Sequence, residues 1–148
     1  MPLVLVAALA VAEHVPAAPP VAVSLVVVVG KDSPIRTVTL DTLRDVFLRR
    51  QRLWPDGGRA MPVNLPADSP ERLAFSKRVL GRMPTELVDY WNRLYFDGIR
   101  PPLVLRSPDA ACAYVATDPA AIAYVPAGAV DKASCRVVLE LPAAAKER

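Results

Sequence analysis

The sequence holds a single histidine, His14, two cysteines and no Cys-x-x-Cys pair. A zinc centre needs four close-set ligands, so no metal site is expected, and the same shortage removes histidine-assisted nucleophilic catalysis. Paired carboxylates, a glycine-rich phosphate loop and a nucleophile elbow are also missing. Neither an enzymatic activity nor a cofactor is therefore expected. Aromatic residues make up only 6%, and the net charge is a mild +3. The 14 arginines are scattered except for Arg49, Arg50 and Arg52. Without a basic stripe interleaved with aromatics, nucleic acid is not an expected partner. The arginine triplet reads as the solvated end of a helix, whose C-terminal dipole favours cations.

What is present is apolar. Hydrophobic residues are 53%, charged residues 22%, and the mean hydropathy is +0.26, values that exclude a disordered chain. A length of 148 residues suits one domain. The apolar excess is concentrated at the start, from Leu3 to Ala12, and the first charged side chain is Glu13. That run is shorter than the ~20 residues of a spanning helix and matches the h-region of a secretory signal. Ala10-Val11-Ala12 supplies a small-x-small cleavage site, although no Lys or Arg precedes the run. Residues 1–20 are expected to be a signal peptide and the protein periplasmic or secreted; the alternative is an uncleaved apolar tail. Residues 1–20 contain one acid and no base, so their removal takes the net charge from +3 to +4. Residues 21–142 are then a single domain and 143–148 a frayed tail. In an oxidising compartment Cys112 and Cys135 could form one bridge closing a 24-residue loop, worth about 3 kcal/mol. Two buried thiols are the equal alternative.

Val21 to Val29 is almost unbroken, β-branched and apolar, ending at Gly30. Such a segment reads as a strand buried on both faces, which requires helices on both sides of a sheet. Thr39 can cap a helix carrying Leu40, Leu43, Val46 and Phe47 on one face and ending near Leu48. Leu53 and Trp54, the turn Pro55-Asp56-Gly57-Gly58, and Ala60 to Val63 form a hairpin signal. Ser69-Pro70-Glu71 starts a helix that Gly81 stops, with apolar residues on two sides. Pro84 opens another helix, which carries Leu87, Trp91, Leu94 and Tyr95 and ends at Gly98. Pro101 and Pro102 enforce an extended crossing. A helix from Ser107-Pro108-Asp109 carries Ala111, Tyr114 and Val115, and strands at Ile122 to Val125 and Arg136 to Leu141 follow. The expected class is α/β, a mixed sheet flanked by helices.

Among these helices the one at Ser69 has the most chemical potential. A helix start presents unpaired N–H groups and partial positive charge, with the Ser69 hydroxyl as a further donor. Arg72 can add a bidentate fork to phosphate or carboxylate. The plainer reading is ordinary capping, with Arg72 crossing a solvent face.

The order of segments carries a resemblance. Leu40-Asp41-Thr42-Leu43-Arg44-Asp45-Val46-Phe47-Leu48, Trp54-Pro55-Asp56-Gly57-Gly58 and Met61-Pro62-Val63-Asn64 resemble part of the phosphate-binding proteins of ABC transporters, type II periplasmic solute-binding proteins. The likeness continues through Ser69 to Phe75 and Tyr90-Trp91. It ends in Asp118-Pro119-Ala120-Ala121-Ile122-Ala123-Tyr124-Val125, which is similar to that family's Pro-Gly-Ala-Ile-Gly-Tyr-Val strand with both glycines replaced by alanine. It covers about residues 21 to 126 and implies the fold of one lobe of a two-lobed binding protein.

The resemblance also implies an anion site where the family has Ser-Gly-Thr, often followed by Arg. By position Ser69 and Arg72 are kept, while Pro70 and Glu71 replace Gly and Thr. Pro70 deletes an N–H donor. Glu71 puts a negative charge beside the expected anion, a repulsion of about 4 kcal/mol per charge pair at ~4 Å and an effective dielectric of ~20. The expectation is an exported, non-enzymatic solute-binding-like module whose anion site is weakened or lost. Its partners would be phosphate or another small anion and a membrane transporter or sensor, with self-association replacing a second lobe. The alternative is an interaction domain that keeps the fold without the ligand and meets a partner through Trp54, Tyr95 or the Arg49 to Arg52 cluster.

Overall fold

The computed structural model describes residues 23–143. The expected signal peptide, His14, the first two residues of the apolar strand and all but the first residue of the expected tail lie outside that range. Strand β1 (Leu25–Gly30) is the fully apolar segment, and all six of its residues are buried. Helix α1 (Leu40–Phe47) starts at Thr39, whose hydroxyl accepts from the Thr42 N–H. Strand β2 spans Met61–Asn64. Helix α2 (Pro70–Phe75) runs on into a wider helical turn, Ser76–Leu80, and Gly81 stops it at a left-handed φ of 69°. The extra width accompanies capture of the Val79 carbonyl by Arg44 Nε of α1 at 2.8 Å.

A tight turn at Pro84–Leu87 leads into α3 (Val88–Phe96), then the two-residue strand β3 (Leu103–Val104) and helix α4 (Pro108–Thr117). Ser107 caps α4 by accepting from the Ala110 N–H at 3.1 Å. Strands β4 (Ala121–Pro126) and β5 (Cys135–Leu141) complete the sheet. No helix among the described residues is long and apolar enough to cross a membrane.

The sheet is mixed, in the order β3-β2-β4-β1-β5. β2 runs parallel to both β3 and β4, whereas β1 is antiparallel to β4 and β5. Between two neighbours β1 has no free edge, and helices cover both faces, which is why it tolerates no polar side chain. On one face α4 lies directly against β1 and β4. A Cβ on Gly30 would sit 2.3 Å from the Val115 carbonyl oxygen, so this approach requires glycine. In the core, Tyr124 of β4 stacks on Phe75 at 3.9 Å between ring centres, with Phe47 tilted against both.

Two expectations change. The glycine turn forms, with Gly57 at φ 88° and Trp54 N donating to Gly58 O, but only Leu53 and Arg59 bridge across it. Trp54 is drawn inward instead, where its Nε1 donates to Ala120 O at 2.9 Å, and the chain then enters the sheet parallel to β4. Helix α3 has the expected spacing and ends near Gly98, yet none of its residues is buried; Tyr95 is 67% and Phe96 87% exposed. Amphipathic spacing reports the face available for burial, and here little is packed over it.

Candidate functional site

Strand β2 leads through Leu65 and Pro66 into the turn that begins α2. This path brings Ser69 and Arg72 together at the C-terminal end of β2, and most of their polar capacity is used internally. The Ser69 hydroxyl donates to Pro66 O at 2.7 Å and accepts from the Arg72 N–H at 3.2 Å. A hydroxyl has one proton, so Ser69 has no donor left for an anion while this geometry holds. Arg72 Nη1 donates to Leu65 O at 3.1 Å, while its remaining guanidinium N–H groups have no hydrogen-bond partner among the described residues. Burial lowers the Arg72 pKa from its ordinary value, and the neighbouring Tyr124 hydroxyl offsets part of that shift.

Beneath this turn lies a polar cluster that sequence reasoning missed. The Tyr124 hydroxyl donates to Asn64 Oδ1 and accepts from the Leu65 N–H at 3.3 Å, and all three residues are buried. Burial raises the Tyr124 pKa, keeping the hydroxyl neutral. The aromatic residue in the β4 signature was the only local sign of it, because its partners lie about 60 residues away.

The disulfide weighed for Cys112 and Cys135 is not formed: both are buried free thiols. Cys135 Sγ instead lies 3.4 Å from Cys112 O as a donor. Burial, followed by the neighbouring Cys112 thiol, pushes the Cys135 pKa up to about 12.

Two further clefts lie elsewhere. One, of about 490 Å³, opens between the loop 34–39 and Trp54; the other, of about 500 Å³, lies beside Arg49. The arginine triplet is only in part the solvated helix end expected for it. Arg50 is exposed and pairs with Asp45 at 3.8 Å, but Arg49 turns inward at a left-handed φ of 61° and its Nη1 donates to Ala60 O.

No protein-family model and no curated protein matches the sequence. Solved structures do match the fold. An ABC-type phosphate transport receptor from Vibrio cholerae superposes at a TM-score of 0.60 and 18% identity, over 78% of this chain and 46% of the receptor. This chain shares the fold of about half of a phosphate-transport receptor. A phosphate ABC transporter substrate-binding protein from Clostridium perfringens, solved with bound phosphate, gives 0.60 and 18% over 76% of this chain and 44% of its own. PstS from Borrelia burgdorferi gives 0.55 and 13% over 72% and 42%. The chain thus spans less than half the length of these proteins.

Proposed function

We propose that the protein is an exported, non-enzymatic solute-binding-like module that takes up phosphate-type anions weakly at Ser69 and Arg72. One observation carries this reading: within a phosphate-receptor fold, Arg72 sits beside the Ser69 helix start with guanidinium N–H groups still unused. Weakness follows from the spent Ser69 proton, the missing N–H of Pro70 and the carboxylate of Glu71. Export directs the module to the periplasm or the cell exterior, where a membrane transporter or sensor is its partner.

Thermal melting in phosphate tests the reading. Phosphate at about ten times its Kd stabilises by ~1.4 kcal/mol, or roughly 5 °C in a domain of this size. The shift should require millimolar phosphate and vanish in Arg72→Gln. No shift at any phosphate concentration, or an equal shift in the variant, rejects it.

A second reading rests on α3. Its Val88, Tyr95 and Phe96 are exposed, an unusual load of apolar surface for one short helix, and they favour a protein partner or a second copy of the chain. If that surface mediates self-association, Phe96→Asp should move the sedimentation profile toward monomer.

A further inference from the structure

Arg49, Arg52, Arg59 and Arg100 line the 500 Å³ cleft, at the end of β2 opposite to Ser69. They come from three separate segments: the turn after α1, the glycine turn and the stretch leading to β3. Leu53, Ala60, Met61, Gly98 and Ile99 complete the walls, and no carboxylate is among them. An adjoining trough of about 340 Å³ shares Arg49 and Arg100 and is walled by Pro101, Pro102 and Leu103. The ion pairs among the described residues are Arg44 with Asp41 and Arg50 with Asp45, so none of the four arginines has a carboxylate partner.

Arg49 is the most constrained of the four. It is the only non-glycine residue with positive φ among those described, a conformation its Cβ disfavours. Its Nε is buried without a hydrogen-bond partner. Burial and then the charge of Arg52 lower its pKa, so the unliganded cleft opposes the charge that it gathers. An anion bound among the guanidiniums reverses that opposition.

We infer that this cleft binds a small anion carrying two or more linked phosphate groups. Arg49 Nη1 is held by Ala60 O, but the exposed forks of Arg52, Arg59 and Arg100 come one from each segment, and a cleft of about 500 Å³ is far roomier than a single phosphate group. A short phosphate chain spans them. The concave shape and a volume within the ordinary small-molecule range favour such a ligand over a nucleic-acid strand, which needs an extended basic track.

Titration calorimetry on the full chain with tripolyphosphate, and with phosphate for comparison, tests the inference. Tripolyphosphate should bind at least about tenfold more tightly than phosphate. Arg52 and Arg100 are exposed, so the double variant Arg52→Gln, Arg100→Gln should keep the circular dichroism of the parent and lose at least about tenfold in tripolyphosphate affinity. Arg72→Gln should leave that affinity unchanged, which separates this site from the one at Ser69. Absence of saturable heat with tripolyphosphate overturns the inference, as does equal affinity in the double variant. Tighter binding of a short DNA strand through the same two arginines would assign the cleft to nucleic acid and overturn it too.

Discussion

Replacing Tyr124 by Phe removes one oxygen and leaves the ring in place, so it isolates the polar cluster beneath the candidate site. The stacking on Phe75 at 3.9 Å and the packing on Phe47 persist. Two buried groups then lose their partner: the Leu65 N–H and Asn64 Oδ1. An orphaned buried polar group costs about 1–3 kcal/mol. Side-chain rotation of Asn64 recovers part of its share, which sets the expected loss at about 2–4 kcal/mol. In a domain of this size that lowers the melting temperature by roughly 8–16 °C. Urea denaturation followed by circular dichroism measures it, with an unchanged m-value showing that both states keep their compactness. The effect also has a pH signature. The folded pKa of Tyr124 is raised above its ordinary 10.0, so its contribution is whole below pH 10 and is lost as pH climbs beyond it. The Phe variant should lack that part of the alkaline decline. A variant within about 0.5 kcal/mol of the parent would show that the cluster contributes nothing and refute the reasoning.

Two further perturbations address the core. Gly30→Ala forces a Cβ to within 2.3 Å of backbone oxygen and should cost at least about 2 kcal/mol in urea denaturation, whereas Gly128→Ala, with nothing within 4 Å, should be nearly neutral. For Cys135 the folded pKa is raised from 9.0 to about 12, so its contribution to stability is held below pH 9 and lost as pH rises through that interval. Cys135→Ala should flatten this stretch of the stability profile, and an unchanged slope would show that the thiol does not titrate differently on folding.

Much of this molecule is legible residue by residue, because a helix cap or stop is decided within one turn of chain. Thr39, Ser69 and Ser107 start α1, α2 and α4, and Gly81 and Gly98 stop the chain where expected. The apolar run ending at Gly30 likewise announced a strand buried on both faces, and the order of short motifs pointed to the fold that the solved structures share. The tertiary structure decided what depends on distant partners. Only folding brings Tyr124 to Asn64, Arg44 to Val79 and Arg136 Nη2 to the carbonyls of Ser33 and Ile35. The same long-range contacts drew Trp54 inward, left Tyr95 outside and spent the Ser69 proton on Pro66. They also gathered four arginines, separated by up to 51 positions in the chain, around one cleft. Composition sets which groups exist, but the free energy of a buried or gathered polar group depends on what the fold places beside it.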